Sequence, residues 1–354
     1  MTFRDYSLRK KLLCVLVPLG LVYAMIVAYL FFTSSNSIIK QNAIAEQTQS
    51  GRVVQQMIDD FAAKALAIAK IFAENERIPA AYANPDEVAG SDFLADGVRP
   101  LIDRITRDAE IDSFKIHYHK PPARSFLRVW RDKRLDDLSG FRPTILEVYN
   151  RRAPVKAIEF GVGGFAVRGL APINFDGEYL GSVEFLYSIE AILDLLTVDQ
   201  ARSDMINIIT ADTARNALSE EQIEQFYATR IGDFYLSAPR SEWADPNALL
   251  TEDVIERMKT SDDLIIENYG DVFASLVPLF NVNETKIGYV LALSNKSDVV
   301  AAQQRGVLIN VAIFSVLLIA LFVVLILIIG RLIIGPIQRA TRMAEEIAHG
   351  NFDF

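Results

Sequence analysis

Residues Ile116–Arg131 read IHYHKPPARSFLRVWR, and their reading decides the fold of the central chain. Successive side chains of a strand point to opposite faces. Over Ser113–His119 that alternation puts Phe114, Ile116 and Tyr118 on one face and Lys115, His117 and His119 on the other. Pro121-Pro122 interrupts any ladder and marks a turn. Ser125–Arg131 then resumes as a strand, with Phe126, Arg128 and Trp130 on one face and Leu127, Val129 and Arg131 on the other. Strand, turn and strand predict an antiparallel sheet.

Downstream, Asp136–Pro143 reads as loop and Thr144–Arg151 as a short helix. Two further strands follow, Lys156–Pro172 and Tyr179–Tyr187, joined by an Asp176-Gly177 hairpin turn. Gly161-Val162-Gly163-Gly164 lacks the G-x-G-x-x-G frame and a following helix, so it is read as a bend at the sheet rim. The pattern repeats in a second lobe. Its expected helices are Ser188–Leu196, Ser219–Tyr227 (opened by the Ser219/Gln222 capping pair) and Thr251–Met258. Its expected strands are Met205–Thr210, Asp263–Glu267, Asp271–Leu279 and Lys286–Asn295.

Upstream, Ile38, Ile39, Ala43, Val53, Val54, Met57, Ile58, Phe61, Ala65, Leu66, Ile68, Ala69 and Phe72 recur at three and four, predicting one long helix from Ser34 to about Ile78. A shorter helix is expected over Val98–Arg107. Two uncharged stretches bracket all of this. Leu12–Phe32 has 21 residues behind Arg9-Lys10-Lys11, and Gly306–Gly330 has 25 residues before Arg331. At ~1.5 Å per residue the shorter covers about 32 Å, the thickness of a bilayer core. The flanking basic residues predict two membrane spans with both termini cytoplasmic and residues 33–305 outside.

The acidic balance, a formal net charge of −9, argues against nucleic acid as a partner, which demands a basic footprint. Cys14 is the single cysteine, so the outer region has neither a disulfide nor a thiolate metal site. Neither G-x-S-x-G nor H-E-x-x-H occurs, and no enzymatic chemistry is expected within the chain.

Three segments together, IHYHKPPARSFLRVWR, DDLSGFRPTILEVYN (136–150) and the hairpin ending GEYLGSVEF (177–185), resemble the double Cache sensor domains of bacterial chemoreceptors and sensor kinases. The likeness extends over roughly Ser34–Ser294. It implies an α+β fold: two stacked PAS-like lobes with antiparallel sheets on one long N-terminal helix, flanked by two transmembrane helices. It also implies a small-molecule pocket in the membrane-distal lobe and no cofactor.

After the second span, Gly335-Pro336-Ile337 is similar to the start of a HAMP domain. Ile337, Ala340, Met343 or Ala344 and Ile347 form its packed helix face, and Gly350-Asn351-Phe352-Asp353 the start of its connector. A second HAMP helix does not follow, so the chain is expected to be a fragment of a longer receptor or a truncated gene product. The expected layout is 1–11 cytoplasmic, 12–32 first span, 33–78 sensor helix, 79–188 distal lobe, 189–305 proximal lobe, 306–330 second span and 331–354 partial HAMP.

The expected binding residues are Arg128, Trp130, His117, Tyr118, His119, Arg168 and Glu184. A guanidinium fork clamps an acid group while an aromatic ring packs the carbon skeleton; Glu184 also suits an amine. The alternative is a surface Arg–Trp pair. Asp136, Asp137 and Arg142 are assigned to holding the loop. His117 and His119 share a face at a spacing that copper or zinc can use. No third donor stands at a distinctive spacing, so no metal site is assigned; pocket lining, a pH-sensitive hydrogen bond and plain structure stay open.

These readings make the chain a signal receptor of the bacterial inner membrane, sensing an organic acid, amine or amino acid as a homodimer and driving a cytoplasmic output module. A methyl-accepting chemotaxis receptor is the first expectation. The sensor of a histidine kinase or cyclic-dinucleotide enzyme is the second, and a periplasmic protein-interaction module without a ligand the third.

Overall fold

The computed structural model describes residues 8–108, 115–161, 163–197, 202–227 and 229–348. Arg4, Asp5, Ser113, Phe114, Val162 and the Gly350–Asp353 connector start lie outside the described residues. Three helices come first: α1 (Leu8–Ala73), α2 (Ile78–Tyr82) and α3 (Glu87–Asp108). Then follow β1 (Lys115–Lys120), β2 (Arg124–Arg128), α4 (Pro143–Arg151), β3 (Val155–Gly161), β4 (Gly164–Phe175) and β5 (Glu178–Ser188). The next group is α5 (Ile189–Leu196), β6 (Ser203–Thr210), α6 (Ala211–Ala217), α7 (Glu220–Phe226), β7 (Thr229–Ile231) and β8 (Phe234–Leu236). It continues with α8 (Pro246–Leu249), α9 (Glu252–Thr260), β9 (Ile265–Tyr269), β10 (Val272–Phe280) and β11 (Lys286–Asn295). Last are α10 (Ser297–Ile329), a π-helical turn (Gly330–Ile334) and α11 (Gly335–Ala348). The chain forms two compact units, Ile44–Lys296 and the two flanks Met1–Ala43 with Ser297–Phe354.

Within Ile44–Lys296 there are two antiparallel sheets, ordered β2-β1-β5-β4-β3 and β7-β8-β6-β11-β10-β9. One helix serves both. Ala65, Ala69 and Phe72 of α1, with Leu94, Val98 and Ile102 of α3, bury one face of the first sheet against Ile116, Tyr118, Leu127 and Phe185. Earlier in α1, Val54, Ile58 and Ala62 join Phe165, Val167, Ile209, Val277 and Val290. Backbone approach is closest at Gly169 on β4, where a Cβ would lie 1.9 Å from the Leu66 nitrogen. Gln47 anchors α1 to the second sheet: its buried amide donates to Ser275 Oγ (2.9 Å) and to the Ala292 carbonyl (3.0 Å). The other face of the second sheet is closed by α8 and α9 through Leu249, Val254 and Met258. The other face of the first sheet lies under α4, with Leu138, Ile145, Val148, Val155 and Leu170 as its apolar part. His117, His119, Arg168 and Glu184 stand on that face.

Among the described residues two helices are long and apolar enough to cross a membrane, and the uncharged stretches of both lie in the flanking unit. They meet where Gly20 leaves room for the Phe322 ring, 2.6 Å from where a Cβ would stand.

Several element limits differ from the sequence expectation. The long helix stops at Ala73, short of Ile78, because the Asn75 side chain accepts the Arg77 N–H (3.0 Å) and closes a turn ahead of α2. The next long helix begins at Glu87, well before Val98: Asp86 Oδ1 accepts the Val88 and Ala89 N–H groups at 3.0 and 3.1 Å, a side-chain cap. Gly232, at φ 58°, turns an unanticipated hairpin between β7 and β8. The expected Asp176-Gly177 turn is present, with φ 50° and 84°.

The second strand of the opening motif ends at Arg128 rather than Arg131. Its register also slips: His117 faces Arg128 and Tyr118 faces Leu127, but His119 faces Ser125. This β-bulge puts one extra residue opposite β1. Phe126 and Leu127 consequently both join the apolar cluster against α1. The expected pairing of Phe126 with Arg128 on one face is thereby overturned.

Candidate functional site

The site grows from the pairing of β1 with β5, which sets His117 opposite Glu184 and His119 opposite Ser182. All four are buried. β4 supplies Arg168 and β3 supplies Glu159, while Arg142 enters from the residue before α4. Pro143 at the start of that helix pre-sets its backbone and leaves no N–H to satisfy.

Glu184 is the hub, and its two oxygens have separate tasks. Oε2 accepts Arg142 Nη2 at 2.5 Å and Arg168 Nη1 at 3.1 Å. Oε1 faces His117 Nδ1 at 3.1 Å and His119 Nε2 at 3.7 Å. The far nitrogens of the two rings meet hydroxyls, His117 Nε2 to Ser125 Oγ at 2.8 Å and His119 Nδ1 to Ser182 Oγ at 3.1 Å. Glu159 mirrors the hub. Its Oε2 takes Arg142 Nε at 2.6 Å and lies 3.1 Å from Arg168 Nε, while its Oε1 accepts the Thr144 hydroxyl at 3.0 Å.

The electrostatics follow from burial and these contacts. Burial alone raises the Glu184 carboxyl, but Arg142, Arg168 and the imidazole bonds outweigh it and hold it well below the ordinary range. Burial pushes the His117 imidazole well below its ordinary 6.5, and the neighbouring His119 ring adds to the shift. His119 is lowered too, again chiefly by burial. With both rings neutral, the charges of Arg142 and Arg168 are matched by those of Glu159 and Glu184.

Of the seven residues expected from sequence, the fold brings His117, His119, Arg168 and Glu184 into one cluster. Tyr118 is a correction. The pleat turns it to the opposite face, where its hydroxyl donates to the Phe72 carbonyl at 3.2 Å in the core against α1. Arg128 shares the polar face, but its fork is bonded to Asp136 at 2.6 and 2.9 Å and to the Lys133 carbonyl at 2.7 Å, so it ties down the following loop. Asp136 is correspondingly lowered to about 2, the Arg128 contact outweighing its partial burial. Trp130 lies beyond the strand, 37% exposed, with its ring 5.9 Å from that of His117. Arg142, assigned to the loop, stands instead at the centre. Glu159 was missed, although a lone acid within the apolar run VKAIEFG is a legible signal.

A family profile described as "Double sensory domain of two-component sensor kinase", dCache_3, matches residues 40–219, half of the chain. The chain belongs to the dCache_3 family. Every residue of the cluster falls inside the matched range, so the hub is part of the dCache_3 domain itself. This domain is a sensory module rather than an enzyme.

No curated protein matches the chain. Among solved structures similar to this dCache_3 protein is the ligand-binding domain of the Campylobacter jejuni chemoreceptor Tlp3 in complex with L-valine, at 9% identity and TM-score 0.40, covering 75% of this chain and 98% of that one. The sensor domain of the Vibrio cholerae histidine kinase DctB has 9% identity and TM-score 0.39, covering 72% and 98%. A domain of a sensory box/GGDEF family protein from Vibrio parahaemolyticus has 11% identity and TM-score 0.43, covering 75% and 99%.

Proposed function

We propose that this chain is the receiving and anchoring part of a transmembrane signal receptor, and that its input is a small organic acid, amine or amino acid. The buried polar cluster on the first sheet carries the reading. Moving an ion out of water costs several kcal/mol even after relaxation, and an apolar face would hold the fold without that cost. Recognition is a use for it. Guanidiniums suit an acidic group, and a carboxylate with two imidazoles suits a positively charged one. Arg128, Trp130, His117, His119, Arg168 and Glu184 are the proposed contacts, with Arg142 and Glu159 added.

Residues 12–32 and 306–330 are the proposed membrane spans, with the sensory region periplasmic and both termini cytoplasmic by the placement of basic residues. Helix α11 is the proposed first HAMP helix. In support, it begins at Gly335, and its apolar Ile337 and Met343 are about half exposed, at 49% and 50%. A second copy would cover them, which favours a homodimer. The family's description favours a kinase output over the chemotaxis receptor that the sequence put first; a cyclic-dinucleotide enzyme is the third choice.

The test is thermal unfolding of the full chain in detergent against a panel of amino acids, mono- and dicarboxylates and amines. At least one compound raises the melting temperature saturably, and Arg168→Gln removes that response. A panel without any saturable shift would count against small-molecule sensing and favour a protein partner.

A further inference from the structure

Three candidate ligand atoms from two strands converge within the cluster. One donor atom each from His117, His119 and Glu184 lies within 4.8 Å of the others, and all three residues are buried. Ser125 and Ser182 hold the far nitrogens of both rings, so the near nitrogens point at Glu184 Oε1. Histidines that ligate metals are held in this way, the second ring nitrogen bonded to an oxygen that orients the first. Within the cluster, the buried His119 Nε2 has no hydrogen-bond partner among the described residues, Glu184 Oε1 lying 3.7 Å away.

We propose that His117, His119 and Glu184 bind one divalent transition-metal ion of the zinc, cobalt or nickel kind. The distances from Glu184 Oε1 to the two rings are those of a metal rather than of a cationic amine. Ligands ~2.1 Å from a tetrahedral ion stand about 3.4 Å apart. Acceptors around an ammonium, each ~2.9 Å from its nitrogen, stand about 4.7 Å apart. The 3.1 and 3.7 Å from Glu184 Oε1 to the two ring nitrogens bracket the first value. The three atoms together lie within 4.8 Å of one another, so an ion replaces the His117–Glu184 hydrogen bond and draws the two rings inward. Imidazole nitrogen with one carboxylate is also the donor set that borderline transition metals prefer to calcium or magnesium.

Charge then sets the fourth position. Arg142 and Arg168 hold the other oxygen of Glu184 and are already matched by Glu159 and Glu184. A dication would leave excess positive charge in a buried place, so its open position takes an anion, such as chloride or the carboxylate of the sensed molecule. Trp130, partly exposed and one ring away from His117, lies beside the site and reports on it. The inference rests on the sensory reading for its use, while binding is tested without it.

The full chain in detergent, stripped with a chelator, is titrated with cobalt(II) chloride. Visible d–d absorption is followed, with Trp130 fluorescence measured in a Trp243→Phe background. One ion per chain is expected, with tetrahedral bands that zinc displaces. His119→Gln, which fills the same space, weakens binding at least ~10-fold, while His349→Ala binds as the parent. Absence of a saturable signal in the parent protein would overturn the proposal without any variant. Undiminished binding by a folded His119→Gln protein would overturn it as well. If organic ligands still shift the melting temperature of a protein that binds no metal, the sensory reading stands and the metal site alone is lost.

Discussion

Arg142 and Glu184, 42 residues apart in the chain, meet at 2.5 Å with neither exposed by more than a tenth. One is the residue before a short helix and the other sits mid-strand, so this bond closes α4 onto the sheet. The same guanidinium holds Glu159, and a single side chain therefore joins the loop, the helix start and two strands.

Removing it leaves two buried carboxylates short of a partner. Arg142→Ala should cost about 3–5 kcal/mol, the scale for breaking a buried pair, and lower the melting temperature by on the order of 10 °C. Arg151→Ala breaks an ion pair with Glu147 whose arginine is 63% exposed; that change should stay within about 0.5 kcal/mol. Thermal unfolding of both variants beside the parent checks the contrast. Equal effects would refute a central role for Arg142.

Acid should weaken the fold in stages when the protein is kept free of metal. The folded imidazoles of His117 and His119 resist protonation that the unfolded chain accepts near 6.5. Below that pH the unfolded state binds more protons, so stability falls as pH falls. Glu184, held well below its ordinary 4.5, and Asp136, held at about 2 against 3.8, extend the loss at lower pH. Melting temperatures from pH 7.5 down to pH 5 should therefore decline, and His117→Gln/His119→Gln should flatten that first window. A parent profile that rises on acidification would contradict the burial of neutral rings.

Gly169 lets α1 lie directly on β4, its missing Cβ otherwise 1.9 Å from a backbone nitrogen of the helix. Gly169→Ala must push helix and strand apart, at about 1–3 kcal/mol for overpacking. Gly177→Asn is the control. It sits at φ 84° with open space around it, in a conformation that asparagine tolerates. Unfolding curves should separate the two. A neutral Gly169→Ala would mean that α1 is not seated on the sheet.

The parts legible in sequence are those with a local period. Strand alternation put His117 and His119 on one face, the Asp-Gly pair marked its turn, and Ser219 with Gln222 marked a helix start that carries a complete capping box. The bulge at β2 was not legible, since a single unpaired residue leaves no mark on composition; it moved Phe126 off the polar face. The role of Arg142 was hidden for a different reason. A loop arginine beside two aspartates has ready local partners, and only the position of α4 turns it toward Glu184.

By itself the sequence determined two apolar stretches long enough to span a bilayer, an α+β region between them and the polar face of β1, because each depends on the spacing of neighbours along the chain. Tertiary structure alone decided that Glu184, 67 residues from His117 along the chain, stands 3.1 Å from it, and that the Tyr118 face of β1 is the one packed on the helix. Strand register and the seat of α4 are set by the mutual packing of distant segments. No window of sequence contains both halves of that packing.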